Sequence, residues 1–245
     1  FDSSITIEIM NKNSMISISV IIPVFNEEAT LLIMLKKFNQ LKNHGYFELI
    51  VVNDGSTDNT KKIIEDSPTL YDKVIHLKQN MGKGKAVIEG LKNATKDYVF
   101  FQDADLEYTP SDILKFIRIV NDYKADLIVG SRFIGNKRSV LFFWHMIGNK
   151  LITIMFNILN NTTFTDIYCC YVFFKRKNLN FRLLRSYRWG QQAEILTYLS
   201  KNSKKIFESS VNYNARTYDE SKKIRFYNIF EVIYWIIITR IKTLF

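Results

Sequence analysis

The sequence is poor in the residues that mark several protein classes: its 245 residues include three prolines, nine glycines and two cysteines. So few prolines and glycines exclude a collagen-like fibre, and so few cysteines exclude a small scaffold held by disulfides. The two cysteines, Cys169 and Cys170, are adjacent, and adjacent cysteines rarely pair with each other and match no zinc-binding spacing. We therefore expect a reducing compartment and no structural metal bound by cysteine.

Long hydrophobic runs are also lacking, since no segment reaches the roughly 18 uncharged apolar residues of a transmembrane helix. Val140–Leu159 is largely apolar but is interrupted by polar and basic residues, and the shorter Ile229–Ile241 contains Glu231 and Arg240. Both segments predict amphipathic or buried helices, of the kind that can rest on a membrane surface. Residues 1–16 lack the basic start and apolar run of a secretory signal.

Positive charge is in excess. The 34 lysines and arginines outnumber the 24 aspartates and glutamates, which gives a formal net charge of +10. A basic protein is attracted to polyanions, so nucleic acid, an anionic membrane surface and phosphorylated substrates are all compatible partners. The apolar fraction of 47% and the charged fraction of 24% are those of a globular protein with a core, which excludes a disordered chain.

The first half of the chain alternates between strand and helix patterns. The strand patterns are Ser17–Ile22, Phe47–Val52, Val74–Leu77, Tyr98–Phe101 and Ala125–Gly130. Continuous apolar strands separated by helical patterns are typical of an α/β fold, in which a mostly parallel sheet is covered by helices on both faces. Ligands of such sheets bind at the carboxyl ends of the strands, and polar clusters follow four of these five patterns.

The cluster after the fourth strand is Asp103-Ala104-Asp105, with Glu107 two residues later. Carboxylates at positions i and i+2 of a turn can converge on one hard cation, and Mg²⁺ or Mn²⁺ held in this way usually bridges substrate phosphates. The alternative is a turn with solvated acidic side chains. The position directly after a buried strand favours the metal site.

Two further clusters precede helices. In Asn53–Thr60, NDGSTDNT, Asp54 can accept hydrogen bonds from a base or ribose, or the polar residues can simply cap the next helix. Gly82-Lys83-Gly84 opens a helix, where glycine allows close approach of the backbone and the helix N-terminus favours phosphate. The motifs GxxxxGKS/T and GxGxxG are absent, which argues against a P-loop NTPase and a Rossmann dinucleotide enzyme.

Several polar side chains of the second half are candidate ligands. The basic candidates are Arg132, Arg216, Lys222 and Lys223. Arginine can bind a phosphate through two parallel hydrogen bonds, although any single surface arginine is more often solvated. His145 and Asn149 stand one helical turn apart and can present polar groups on one helix face, although a lone histidine is more often structural.

Taken in order, eight motifs resemble those of the GT-A-fold family 2 glycosyltransferases, specifically the dolichol-phosphate mannose/glucose synthase-like branch. The motifs are IIPVFNEE at 21–28, NDGSTDNT at 53–60, NMGKG at 80–84, DAD at 103–105, GSRF at 130–133, FWHMIGNKL at 143–151, FTD at 164–166 and YNARTYDE at 213–220. The resemblance covers Ile16–Tyr227, and it implies a GT-A (Rossmann-like) mixed sheet flanked by helices, with C-terminal amphipathic interfacial helices.

The resemblance implies metal-dependent, inverting transfer of a hexose from a nucleotide-diphosphate sugar, GDP-mannose or UDP-glucose, to a polyprenyl (dolichyl or undecaprenyl) phosphate. The implied cofactor is Mg²⁺ or Mn²⁺, held by Asp103, Asp105 and Glu107. The implied donor-binding positions are Pro23, Val24, Phe25, Asn26, Glu27, Asp54, Gly82, Lys83, Asp103 and Ala104, with Asp54 holding the base. The implied acceptor-binding positions are Arg132, His145, Asn149, Arg216 and Lys222, and the implied catalytic positions are Asp105, Arg132, His145 and Arg216.

The implied organisation is a catalytic domain at 16–228, preceded by an extension at 1–15 and followed by an amphipathic helix at 229–245, with an amphipathic acceptor-side segment at 139–161. The implied partners, besides the two substrates, are a membrane surface and a membrane-anchoring subunit, and no nucleic acid. The implied location is peripheral, on the cytoplasmic face of the plasma membrane or the endoplasmic reticulum.

Two alternatives remain open. A family 2 transferase that acts on a sugar hydroxyl in polysaccharide assembly needs a catalytic base, for which Glu194 and Asp166 are the candidates. Otherwise Asp166 is a turn or cap residue, and Glu194 is a buried or solvated carboxylate. The second alternative is a degenerate membrane-binding module without activity. By contrast with the sugar-hydroxyl acceptor of the first alternative, a phosphate acceptor needs no catalytic base, because a phosphate monoester is already mostly dianionic at pH 7.

Overall fold

The computed structural model describes residues 16–135, 143–214 and 228–244. Within these ranges, seven strands form one sheet. They are β1 (Ser17–Val24), β2 (Tyr46–Asn53), β3 (Lys73–His76), β4 (Tyr98–Phe101), β5 (Leu127–Ser131), β6 (Val172–Lys175) and β7 (Ile206–Ser210).

The strand order is β3-β2-β1-β4-β6-β5-β7, and all neighbouring pairs are parallel except those of β6, which runs antiparallel to β4 and β5. The predicted mixed, mostly parallel sheet is confirmed. Val24 is paired with Asn53, and Ile21 with Phe101. The loops after β1, β2 and β4 therefore leave the sheet at the same edge, which brings the predicted polar clusters together.

Helices cover both faces of the sheet, as predicted. The α-helices of the described ranges are α1 (Leu31–Asn39), α2 (Thr60–Glu65), α3 (Lys83–Asn93), α4 (Ile113–Tyr123), α5 (Phe143–Asn160), α6 (Gln191–Asn202) and α7 (Asn228–Lys242). One core lies between the sheet and α1, α2 and α4, and the other lies between the sheet and α3, α5, α6 and α7. Fully buried aliphatic residues of β1 and β2 face both cores, which explains their continuous apolar pattern.

The two amphipathic segments form α5 and α7, which pack against each other. The exposed stripe of α5 contains Trp144, Leu151, Ile154 and Ile158. The exposed stripe of α7 contains Phe230, Tyr234, Ile237 and Ile241. In both helices the spacing of three, four or seven residues puts these side chains on one face. Over the described ranges, neither these helices nor the others combine the length and the hydrophobicity that a membrane span requires.

A buried carboxylate joins β1, β2 and β3 with the segment before β4, away from the candidate site. Glu48 accepts hydrogen bonds from the hydroxyl groups of Ser19 and Thr95 and from the N–H of Thr95, and it pairs with Lys73 at 2.8 Å. Burial alone would raise the pKa of Glu48, but these donors outweigh it and lower the pKa to about 2. Glu48 is therefore ionised in the folded chain at neutral and mildly acidic pH.

Candidate functional site

The loops after β1 and β2 are interlocked by their own polar side chains. Asn26 adopts a left-handed conformation with φ of 53°, and its side-chain oxygen accepts the N–H of Thr57 at 2.8 Å. The N–H of Asn26 donates to the hydroxyl of Ser56, and the N–H of Glu27 donates to that of Thr60. The first predicted donor motif therefore rests on the second, at the edge where β1 and β2 end.

Pro23 and Val24 end β1, and Phe25 follows them, partly buried. Asp54, directly after β2, is 3% exposed, and its two oxygens accept the N–H groups of Met81 and Gly82, each at 2.8 Å. Burial raises the pKa of Asp54, and the two N–H groups offset part of that rise. Asp54 thus holds the loop before α3 in place, a structural role that the sequence did not indicate.

The two glycines at the start of α3 make room for another part of the same chain. A side chain at Gly82, which has φ of 99°, would lie 2.5 Å from the carbonyl oxygen of Tyr187, and one at Gly84 would lie 2.5 Å from that of Ser186. The N–H of Lys85 donates to the Tyr187 carbonyl at 3.2 Å. These glycines therefore allow the backbone of residues 186 and 187 to lie close to the start of α3.

Lys83 reaches from α3 to the cluster after β4. Its Nζ lies 2.6 and 2.8 Å from the two carboxylate oxygens of Asp103, and 3.6 Å from the Sγ of Cys170. Desolvation would lower the pKa of Lys83, but the Asp103 carboxylate outweighs it and raises the pKa above its ordinary value. Burial raises the pKa of Cys170, so this thiol stays neutral beside the ion pair.

The turn Asp103–Glu107 places carboxylates at the carboxyl end of β4. Ala104 is buried beneath the turn, and Oδ1 of Asp105 accepts the N–H of Glu107 at 3.1 Å. In the described ranges, no group of three or more His, Cys, Asp or Glu residues is arranged to hold a metal ion. Protein-bound Mg²⁺ commonly uses one or two carboxylates and takes its other ligands from substrate phosphates and water. These residues therefore fit a metal ion shared with a phosphorylated substrate.

Glu107 connects this turn to the segment after β7. Its carboxylate accepts the hydroxyl of Tyr213 at 3.1 Å, and its carbonyl accepts the N–H of Asn214 at 2.8 Å. The ring of Tyr213 in turn lies 5.4 Å from the guanidinium carbon of Arg132. Tyr213 thus lies between the predicted metal-binding turn and the predicted acceptor side.

Arg132 is held by a fully buried carboxylate. Its Nε and Nη2 donate to the two oxygens of Asp166 at 2.7 and 2.9 Å, and its main-chain N–H donates to the same group at 3.1 Å. Asn149 of α5 also donates to Asp166, at 3.1 Å. This bidentate pairing uses two of the five N–H donors of Arg132 and fixes the plane of the guanidinium.

Asp166 therefore brings together Arg132 and Asn149, two of the predicted acceptor-binding residues. His145 lies one turn before Asn149 on α5, and its side chain is exposed. The predicted ligands Arg216 and Lys222, and also Lys223, lie outside the described residues. From the sequence we predict only a turn, a cap or a base role for Asp166, because no local pattern reveals its pairing with a residue 34 positions away.

Glu194 of α6 is 1% exposed. Its oxygens accept the main-chain N–H groups of Arg185 and Ser186 at 2.9 to 3.0 Å, and burial raises its pKa. Glu194 thereby fixes the segment that lies against Gly82 and Gly84. Of the two readings of Glu194, the buried carboxylate is the one that the structure supports.

The family model described as Glycosyl transferase family 2 matches residues 19–181. A UDP-N-acetylglucosamine–dolichyl-phosphate N-acetylglucosaminyltransferase of Methanococcus voltae is 41% identical over 134 residues, which cover 47% of this chain and 51% of that protein. An undecaprenyl-phosphate 4-deoxy-4-formamido-L-arabinose transferase of Proteus mirabilis is 29% identical over 224 residues, which cover 89% of this chain and 64% of that protein. The chain therefore spans less than two thirds of the length of either relative.

A solved structure of glucosyl-3-phosphoglycerate synthase from Mycobacterium tuberculosis, in complex with Mn²⁺, uridine diphosphate and phosphoglyceric acid, superimposes with a TM-score of 0.68. The two chains are 21% identical, and the match covers 91% of this chain and 78% of the other. At this identity the likeness concerns the fold, and it confirms the predicted GT-A architecture.

Proposed function

Because this chain belongs to glycosyl transferase family 2, we propose that it transfers a hexose from a nucleotide-diphosphate sugar to the phosphate of a polyprenyl lipid. The predicted enzyme class is thereby confirmed: the chain is a glycosyltransferase, and the non-enzymatic module is not retained. The observation that carries the lipid-phosphate acceptor is the buried Asp166, which binds both Arg132 and Asn149 and so holds them next to each other. Two relatives named for polyprenyl-phosphate acceptors support the same branch.

The donor side of the proposal follows the edge of the sheet. The nucleoside lies against residues 23–27 and Asp54, and the diphosphate lies beside Lys83 and the Asp103–Glu107 turn. One or two of the carboxylates of Asp103, Asp105 and Glu107 would hold Mg²⁺ or Mn²⁺, which would neutralise the departing nucleotide diphosphate. The complex of the structural neighbour, named with Mn²⁺ and uridine diphosphate, supports this choice of cofactor.

The acceptor phosphate needs orientation more than activation. Its oxygen attacks the anomeric carbon of the sugar from the side opposite the diphosphate, the bond from that carbon to the diphosphate breaks, and the configuration inverts. Arg132, held in one plane by Asp166, supplies two-point contact with the phosphate, and His145 and Asn149 of α5 complete the described part of the acceptor side. Arg216 and Lys222 are the further cations proposed for the same phosphate.

The membrane side of the proposal rests on α5 and α7. Both helices expose an apolar stripe, and α5 also carries the acceptor residues His145 and Asn149. A protein whose acceptor is a lipid must reach the membrane interface, and exposed aromatic and aliphatic side chains on amphipathic helices suit that position. We assign the chain a peripheral place on the cytoplasmic face of a membrane, with an anchoring subunit as a further partner.

The hydroxyl-acceptor alternative is less well supported. It requires a carboxylate that can take a proton from a sugar, and its two candidates are already engaged. Asp166 is fully buried and paired with Arg132, and Glu194 is buried and bonded to two main-chain N–H groups. A general base must come within hydrogen-bond distance of the proton it takes, and both carboxylates are buried and already bonded to these partners.

A donor panel tests the proposal. The protein is incubated with a short polyprenyl phosphate, Mg²⁺ or Mn²⁺, and labelled GDP-mannose, UDP-glucose or UDP-N-acetylglucosamine, and label is counted after extraction into organic solvent. We expect label in the lipid phase from one donor, its loss with a chelator, and background transfer in Asp105→Asn. The matched control is Asp122→Asn, which changes an exposed carboxylate of α4 and should transfer as the wild type does. Label found only on a sugar hydroxyl acceptor would overturn the proposal.

A further inference from the structure

The segment Phe181–Gly190 combines positive charge with exposed apolar side chains. Its three arginines, Arg182, Arg185 and Arg188, are spaced three residues apart and are all exposed. Between and beside them, the exposed fractions of Leu183, Tyr187 and Trp189 are 46%, 42% and 37%. Nothing in the proposed reaction uses these six side chains.

The charges of this segment are not neutralised within the described ranges. No ion pair there involves any of the three guanidinium groups, and the side chains of Arg182 and Arg188 donate no hydrogen bond. Arg185 donates only to the carbonyl groups of Arg182 and Leu184. Arg185 interacts electrostatically with the carboxylate of Glu194, and within the described ranges none of the three arginines forms a direct ion pair. Three exposed arginines of this kind present a surface that attracts anions.

The same segment ends in contact with α7. Gly190 is buried against α7, where any side chain at this position would collide with the indole of Trp235. Its N–H donates to the carboxylate of Glu231 on α7 at 3.3 Å. The hydroxyl of Tyr168 donates to the carbonyl of Trp189 at 3.1 Å, which fixes the end of the segment from the other side.

The backbone of the segment is rigid where it meets the donor side. Glu194 accepts the N–H groups of Arg185 and Ser186, and the carbonyls of residues 186 and 187 lie against Gly82 and Gly84. The exposed arginines therefore project from a fixed base between α7 and the start of α3. Because the backbone is already fixed, binding of a ligand restricts only the arginine side chains.

We propose that the exposed side chains of residues 182–189 form a docking surface for the headgroups of anionic membrane lipids. The arginines meet the phosphates of the headgroups, and Tyr187 and Trp189 rest at the interface, beside the apolar stripe of α7. Charge favours this occupant, since the chain carries a net charge of +10, and contact with α7 favours a lipid surface over an isolated phosphate. The inference rests on the proposed membrane association but names a surface outside the substrate site.

Vesicle binding tests the surface without using the enzymatic reaction. The full chain is mixed with vesicles of phosphatidylcholine alone, or with phosphatidylglycerol added, at low and at high salt, and the bound fraction is measured by sedimentation. Each arginine near an anionic surface contributes about fivefold to binding, so we expect Arg182→Gln/Arg188→Gln to bind the anionic vesicles about 25-fold more weakly. Binding to phosphatidylcholine should not change.

Two control pairs show whether the position of the charges or only their number determines vesicle binding. Lys36→Gln/Lys37→Gln removes the same charge from exposed positions of α1, on the opposite face of the sheet, and should bind as the wild type does. Arg182→Lys/Arg188→Lys keeps the charge and should also bind. Equal losses in the α1 pair and the arginine pair would overturn the proposal, as would a wild type that shows no preference for anionic vesicles or that binds single-stranded RNA more tightly than vesicles.

Transfer assays separate this inference from the proposed function. With acceptor lipid dispersed in detergent, Arg182→Gln alone should transfer sugar at the wild-type rate, because Arg182 is not among the residues proposed to bind donor or acceptor, whereas Arg188 lies against Gly82 of the donor side. If the wild type transferred sugar but showed no preference for anionic vesicles, the proposed docking surface would be wrong and the proposed reaction would stand. If the wild type preferred anionic vesicles but transferred no sugar, the docking surface would stand and the proposed reaction would be wrong.

Discussion

Asp166 is the central residue of the proposed acceptor side, because it is fully buried and holds both Arg132 and Asn149. Breaking a buried ion pair from one side typically costs about 3–5 kcal/mol, since the other charge is left without a partner. We expect Asp166→Asn to lower the free energy of unfolding by about 3 kcal/mol. We also expect a higher KM for the polyprenyl phosphate, because the guanidinium of Arg132 loses its fixed plane.

Urea unfolding and acceptor titration measure the two effects of Asp166→Asn separately. The control is Glu48→Gln, which removes a buried, paired carboxylate far from the site. It should lose stability but keep the acceptor KM of the folded protein. An unchanged KM in Asp166→Asn would contradict the positioning role.

Glu48 makes stability depend on pH. Its pKa is about 2 in the folded chain against 4.5 for a free glutamate, because Lys73, Ser19 and Thr95 stabilise the ionised form. A lowered pKa means that this contribution is complete above about pH 4.5 and is lost as the pH falls from there toward 2. The difference corresponds to about 3 kcal/mol at neutral pH.

The measurement is the free energy of unfolding of wild type and Glu48→Gln at several values between neutral and acid pH. We expect the wild type to lose its advantage over the variant as the solution is acidified through this window. A constant difference between the two proteins at all pH values would show that Glu48 is not the titrating group.

At the residue scale, the sequence predicts positions better than roles. Asp54, Lys83 and Asp103 all lie at the predicted edge of the sheet, because each follows a strand or opens a helix. The contacts that connect them, such as Asp54 with Gly82 and Lys83 with Asp103, join different loops. Pairings of this kind depend on strand order, which local patterns do not contain.

The start of α3 shows how an element is placed by contact with a distant segment. A methyl group at Gly84 would lie 2.5 Å from the carbonyl oxygen of Ser186, a main-chain atom that cannot move without shifting its segment. We expect Gly84→Ala to lower the free energy of unfolding by about 1–3 kcal/mol. Gly148→Ala is the matched control, because Gly148 lies within α5 and has open space around it.

Thermal unfolding distinguishes the two alanine variants of these helices. Gly148→Ala should raise the stability slightly, since alanine has the higher helix propensity and meets no neighbour. Gly84→Ala should lower it. If both changes had the same small effect on thermal stability, the contact between α3 and residues 186 and 187 would make no measurable contribution to stability.

At the element scale, the predicted strands correspond to β1 through β5, and β6 and β7 were not predicted. β6 has only four residues, VFFK, and β7, IFESS, has half-buried positions throughout except for the buried Ser209, without regular alternation. Both are strands because neighbours pair with them: β6 between β4 and β5, and β7 beside β5. Short strands of this kind are decided by tertiary pairing rather than by their own sequence.

At the scale of the whole molecule, apolar side chains are unevenly distributed over the surface. On α5, Trp144 is 78% exposed and Leu151 is 62% exposed. We expect Trp144→Glu/Leu151→Glu to weaken binding to phosphatidylcholine vesicles by tenfold or more, because each side chain gains roughly 1.5–3 kcal/mol when it leaves water. The assay is run at high salt, where electrostatic attraction is screened.

The control for the α5 variant is Ile33→Glu. Ile33 is 47% exposed on α1, which covers the opposite face of the sheet. It should leave vesicle binding unchanged, and a loss equal to that of the α5 variant would contradict an oriented membrane surface.

The overall architecture was predictable because its main determinants are periodic. Apolar runs flanked by helical patterns require a sheet covered on both faces, and the chain has enough of them for one domain. Two features were not predictable from the sequence: the side of the sheet that each helix covers, and the packing of α7 on Gly190. Both follow from the order of the strands and the path of the loops.

The position of β6 has a consequence for the order of events during synthesis. β6 lies between β4 and β5 in the sheet but follows both along the chain. Until Val172–Lys175 leaves the ribosome, the edge of β4 that does not face β1 is unpaired, and β5 has no strand with which to pair. An open, apolar strand edge is a template for pairing with other chains. The nascent chain is therefore most exposed to misassociation after β5 has emerged, and the arrival of one four-residue strand ends that interval by joining the two halves of the sheet.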